Sequence, residues 1–78
     1  MAFQLSDIHP KKLSRSEYKV LELLVEGQTN VEIASRLYLS PNTVKTHVRD
    51  IFNKFGVENR VQAAVFALRN GLVKFESN

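Results

Sequence analysis

The chain contains no cysteine, which removes disulfides, thiolate metal sites and thiol redox switching together. Histidine is almost as scarce: His9 and His47 stand alone, a poor donor set for zinc or iron, and no cofactor or metal is expected. Long apolar runs are missing too. The longest, Ala63 to Leu68, falls far short of the ~20 residues needed to cross a bilayer. The N-terminus lacks the charged-then-apolar pattern of a secretory signal. A soluble, cytoplasmic protein with no membrane partner is therefore expected. Glycine occurs only as Gly27, Gly56 and Gly71, spaced as helix stops rather than as a phosphate-cradling loop. No strand alternation, internal repeat or low-complexity tract is present. What remains is a 78-residue chain, 44% hydrophobic with two tyrosines and five phenylalanines, large enough for one small core and one domain. A chain this short buries only ~60% of its unfolded surface, so its stability should be modest.

The net charge is +3, and its position is more informative than its size. From Met1 to Ser40 the basic residues Lys11, Lys12, Arg15, Lys19 and Arg36 balance Asp7, Glu17, Glu22, Glu26 and Glu32. Between Pro41 and Gly56, Lys45, Arg49 and Lys54 face only Asp50. The positive excess thus gathers on one segment, as an anionic partner requires.

Helix punctuation is dense. The first twelve residues carry no sustained period and read as an N-terminal arm (1–12). Ser14 and Glu17 form a Ser-x-x-Glu capping box, in which each side chain satisfies a backbone N–H that has no partner within the helix. Val20, Leu21, Leu24 and Val25 follow at helical spacing, and Gly27 closes the first helix. Thr29 and Glu32 open a second, short helix with Val31, Ile33, Ala34 and Leu37 as its apolar positions. Ser40 then suits the cap, and Pro41 the first helical position, where a missing N–H costs nothing. In the third helix Val44, Val48, Ile51, Phe52 and Phe55 share a face that ends at Gly56. Asn59 and Gln62 start a fourth helix, in which Val61, Ala64, Val65 and Leu68 form a stripe that either fills the core or meets a partner. The expected fold is all-α: a four-helix, bundle-like domain over 13–72, with a C-terminal tail over 73–78.

Helices two and three are joined by a few residues with Leu39 able to plug the gap, the spacing of a helix-turn-helix at about 29–48 with its reading helix at about 41–55. In that motif the second helix enters the DNA major groove and presents its N-terminal residues to base edges. With Val44, Val48, Ile51 and Phe55 turned to the core, the opposite face carries Asn42, Lys45, Thr46, Arg49 and Asn53. Lysine and arginine donate to guanine O6 and N7, and threonine can meet a thymine methyl, so Lys45, Thr46 and Arg49 are expected to read bases. Asn42 and Thr43, in the first turn, and Lys54, two turns beyond Lys45, are expected on phosphates. His47, beside the core face, reads as a partly buried packing residue or a phosphate donor. No activated nucleophile accompanies it, and no enzymatic activity is expected. Double-stranded DNA is preferred to RNA because the deep, narrow A-form major groove excludes a reading helix. A protein-interaction module that has lost DNA binding is the rival class, disfavoured by the intact basic face.

The segments LSRSEYKVLELLVEGQTNVEIASRLYLSPNTVKTHVRDIFNKFGV and NRVQAAVFALRNGLV resemble the LuxR-type (NarL/FixJ, GerE-like) helix-turn-helix domain. The run EIASRLYLSPNTVKTHV followed by KFGVENRVQA carries most of the specificity. The resemblance implies a tetrahelical domain of a bacterial-type transcription regulator, either a stand-alone GerE-like regulator or the C-terminal domain of a response regulator. It places Lys45, Thr46 and Arg49 at base-reading positions. It further implies a homodimer on two half-sites, joined through Val61, Ala64, Val65 or Leu68 of the fourth helix, with RNA polymerase as a further partner. Two departures stand out. Ser16 replaces the arginine, and Lys19 the acidic residue, that the family usually carries, so an ion pair expected within the first helix is absent or rearranged.

Overall fold

The computed structural model describes residues 12–74. The arm expected over 1–12 thus lies, except for Lys12, outside the described residues, as does the tail beyond Lys74. Four helices follow one another: α1 (Arg15–Val25), α2 (Asn30–Leu37), α3 (Pro41–Phe55) and α4 (Arg60–Arg69). No strand occurs among the described residues. None of these helices is long and apolar enough to cross a membrane.

Each start is set by the residue that the sequence offers for it. Ser14 and Thr29 cap α1 and α2 with reciprocal boxes: the Glu17 and Glu32 N–H groups each donate 3.1 Å to the cap hydroxyl, and the two carboxylates accept from the cap N–H groups at 2.9 and 2.8 Å. Ser40 caps α3, with Pro41 following, and Asn59 caps α4. The helix ends are equally local. After α1 the Gln28 N–H donates to the Leu23 carbonyl (3.1 Å), and after α4 the Leu72 N–H donates to that of Ala67 (2.9 Å), a closure that needs one left-handed residue.

At the end of α2 the same closure, Leu39 N–H to the Ala34 carbonyl at 2.9 Å, places Tyr38 in the left-handed region (φ 58°, ψ 42°). It is the only non-glycine residue with positive φ among those described. For a residue with a Cβ that conformation costs about 1–2 kcal/mol.

The core is drawn from all four helices. Val20, Leu21, Leu23 and Leu24 of α1 meet Ile33 and Ala34 of α2, Val44, Val48 and Ile51 of α3, and Ala63 and Ala67 of α4. Helix α3 packs against both α1 and α2, and α4 lies across α1 and α3. Phe55 stacks on Phe66 with ring centroids 4.4 Å apart, fixing α4 against the end of α3. Tyr18 donates its hydroxyl to the Leu72 carbonyl (2.8 Å). Val73, assigned to the tail from the sequence, is buried in this core.

One apolar position differs from the sequence expectation, and the alternative left open for the α4 stripe is decided. Val31, counted among the inward residues of α2, is 66% exposed, because Ile33 and Ala34 already face the core. In α4 the inward residues are Ala63 and Ala67, both fully buried, while Val61, Val65 and Leu68 are exposed and Ala64 is half-buried. Small side chains on the inner face let α4 approach its neighbours closely and turn the stripe outward.

Arg60 supplies a tie that the helix pattern did not foretell. Its guanidinium donates to the Gln28 carbonyl (2.7 Å) and to Asn30 Oδ1 (2.6 Å), clamping the α1–α2 turn to the start of α4. A cation in the first turn opposes the helix dipole, which is the signal that this arginine has work elsewhere. Arg60→Met should lower stability by about 1–3 kcal/mol, since the bonds to a charged donor are lost and one bonded carbonyl is left part-buried. Chemical denaturation at constant m-value measures this.

Candidate nucleic-acid interface

Helix α3 is amphipathic along its length. Val44, Val48 and Ile51 are buried, Phe52 and Phe55 half-buried, whereas Asn42, Thr43, Lys45, Thr46, Arg49 and Asn53 are exposed. Its 15 residues span roughly 22 Å at 1.5 Å per residue. Three residues, Tyr38 to Ser40, separate it from α2, and half-buried Leu39 packs against the core between the two helices. The turn is therefore pinned from beneath, and α3 is presented as a rigid rod.

The exposed side chains differ in how free they are. Lys45 and Arg49, one turn apart, make no ion pair among the described residues. Thr46 donates its hydroxyl to the Asn42 carbonyl (3.1 Å), so its proton is committed, leaving the methyl and an acceptor lone pair for any outside contact. Thr43 belongs to the cap: its N–H donates to Ser40 Oγ (3.1 Å), and its hydroxyl accepts from the same serine (2.9 Å). Because Pro41 has no N–H and that of Thr43 is taken, the Asn42 N–H is the donor of the first turn left without a partner among the described residues.

Lys54, expected on a phosphate, has partners within the chain. Its ammonium lies 2.6 Å from Glu17 Oε1 and 3.2 Å from the Lys12 carbonyl oxygen. Two of its three N–H groups thus face inward, tying the C-terminal end of α3 to the segment that enters α1. Glu17, expected only as a cap, is buried and takes both the Ser14 N–H and the Lys54 ammonium. Burial pushes its carboxyl up, but the Lys54 hydrogen bond, the Ser14 N–H and the positive fields of Lys54 and His47 outweigh that and hold it below its ordinary value. Spacing within one helix could not have exposed this pair, since its members lie 37 residues apart. His47 is half-buried on the same side of α3. No group of three or more His, Asp or Glu side chains among the described residues could hold a metal ion.

Known proteins match both sequence and fold. The family model for bacterial regulatory proteins of the luxR family matches residues 11–67. The transcriptional regulatory protein LiaR of Bacillus subtilis (strain 168) is 46% identical over 81% of this chain and 30% of its own length. The spore germination protein GerE of the same organism is 46% identical over 76% of this chain and 80% of its own. The solved structure of the transcription factor GerE superposes with a TM-score of 0.74, covering 80% of this chain and 92% of that one, with 32% identity across the superposed positions. The chain thus spans about 30% of the length of LiaR and most of GerE. With four helices in the same arrangement and its helix-turn-helix inside the matched region, the chain belongs to the luxR family of bacterial regulatory proteins.

Proposed function

We propose that this domain is a sequence-specific double-stranded DNA-binding module of a transcription regulator, reading the major groove with α3. The observation that carries the proposal is the face of α3 opposite Val44, Val48 and Ile51, where Lys45, Thr46, Arg49 and Asn53 are all exposed. A B-DNA major groove ~12 Å wide admits one helix and offers a distinct donor and acceptor pattern for each base pair. Lys45 and Arg49 read guanine edges, and the Thr46 methyl meets a thymine methyl. Asn42, through its free N–H, and Thr43, through its hydroxyl, hold a phosphate at the start of the helix. Lys54 holds α3 against Glu17, and only its third N–H is left for DNA. Selection of bound duplexes from a random pool tests the proposal: enrichment of one motif supports it, and recovery of unrelated sequences sinks it.

The domain binds as a dimer on two half-sites about one helical turn, ~10 bp, apart. Support comes from the outward stripe of α4, Val61, Ala64, Val65 and Leu68, whose spacing puts all four on one side of the helix. A single helix face buries less than the ~1,200 Å² typical of a stable complex, so pairing is expected on DNA rather than in free solution. Leu68→Glu should leave the fold intact, because the side chain is exposed, while abolishing cooperative occupation of a two-half-site duplex. Sedimentation of the free and DNA-bound chain, with a gel-shift titration, reads both effects.

A further inference from the structure

The α2–α3 turn holds a feature that neither the core nor the exposed face of α3 accounts for. Tyr38 is 95% exposed and is held in a left-handed conformation that glycine or asparagine would adopt more readily. The turn of a helix-turn-helix often carries glycine for this reason. Nothing inside the described chain buries the phenol, which stands in solvent, and the adjacent Leu39 supplies the packing. The Leu39 N–H to Ala34 carbonyl bond that closes α2 requires a left-handed residue here but not a phenol, so the presence of tyrosine where glycine would cost less points outside the molecule.

The position says where. Tyr38 lies two residues before Ser40, the cap of α3, so its Cα is within about 7 Å of the start of that helix. A helix end seated in a groove ~12 Å wide has a phosphate wall about 6 Å to either side. Arg36, also exposed and in the last turn of α2, adds positive charge on the approach to this corner. We infer that Tyr38 is a positioning residue for DNA binding, donating its hydroxyl to a backbone phosphate at the edge of the groove that α3 enters. The inference rests on the DNA-reading function proposed above and adds to it a neutral contact that fixes how α3 sits.

Two variants separate this role from a structural one. Tyr38→Gly removes both strain and phenol, so its Tm should rise by a few °C while affinity for the selected duplex falls by about tenfold, the loss of one hydrogen bond to a charged acceptor. Tyr38→Phe keeps the ring and loses only the hydroxyl. Its affinity should fall at least fivefold with no change in the slope of log K against log salt, because a phenol releases no counterion. Replacing flanking phosphates one at a time by methylphosphonate should weaken the wild-type chain at one position and leave Tyr38→Phe indifferent there. Binding by either variant within twofold of wild type overturns the assignment. Failure of the wild-type chain to bind any duplex would instead remove the underlying DNA-reading function.

Discussion

Replacing Arg49 by alanine is expected to lower discrimination between the selected duplex and random DNA by about 5- to 150-fold, with thermal stability unchanged. The range follows from the ~1–3 kcal/mol that one good bidentate base contact contributes to discrimination, converted at 1.4 kcal/mol per tenfold. Stability should hold because the side chain is exposed and makes no ion pair among the described residues. The salt dependence separates reading from mere charge attraction. A phosphate contact contributes about 0.9 to the slope of log K against log salt, and its removal weakens binding to all sequences alike. A base contact, once lost, weakens the target far more than random DNA. Gel-shift titrations of Arg49→Ala at several salt concentrations, on target and scrambled duplexes, make the distinction. Full retention of discrimination would remove Arg49 from the reading set and leave Lys45 and Thr46 to carry it.

Lys54→Met should have the largest effect on folding, a loss of about 2–3 kcal/mol. Removing one partner of a fully buried ion pair costs ~3–5 kcal/mol; the Lys54 side chain is 29% exposed against 7% for Glu17, so solvent screening reduces the figure. In a domain this size that corresponds to a fall in Tm of about 10–20 °C. The damage is mostly the stranded Glu17 carboxylate, and the double variant Glu17→Gln with Lys54→Met should recover much of it, because glutamine keeps the acceptor for the Ser14 N–H without a buried charge. If the double variant were as unstable as the sum of the two single ones, the pair would not be coupled.

The same pair gives a pH dependence of definite sign. The carboxyl of Glu17 is held below its ordinary value in the folded chain. Its contribution to stability is therefore complete above about pH 4.3, the unfolded-chain value, and is lost as the pH falls through the folded value. In Glu17→Gln that part of the acid sensitivity should disappear, so the two Tm curves converge on acidification. A salt slope for DNA binding that stays unchanged in Lys54→Met, measured where the variant is still folded, would place the ammonium with Glu17 rather than on a phosphate. A slope smaller by about 0.9 would restore Lys54 to the phosphate set.

Much of the architecture was written locally. The capping boxes at Ser14 and Thr29, the Ser40-Pro41 start and the glycines after α1, α3 and α4 involve groups within a few residues of one another, so sequence spacing alone specifies them. The same holds for the face of α3, because a 3.6-residue period separates Val44, Val48 and Ile51 from Lys45, Thr46 and Arg49 without reference to any other helix. The run from Glu32 to Val48, with the segment from Lys54 to Ala63, was enough to place the chain in its family.

Other features were decided only when the helices met. Whether Val61, Val65 and Leu68 faced in or out depended on the rotation of α4, which was set by how closely Ala63 and Ala67 approach α1 and by the Phe55–Phe66 stack. Lys54 met Glu17, and Arg60 met Gln28 and Asn30, across 37, 32 and 30 residues of chain. A periodic pattern fixes which side of a helix is apolar, but the partner of a charged group at its edge depends on the angle and distance between helices. Those are outcomes of packing the whole core at once.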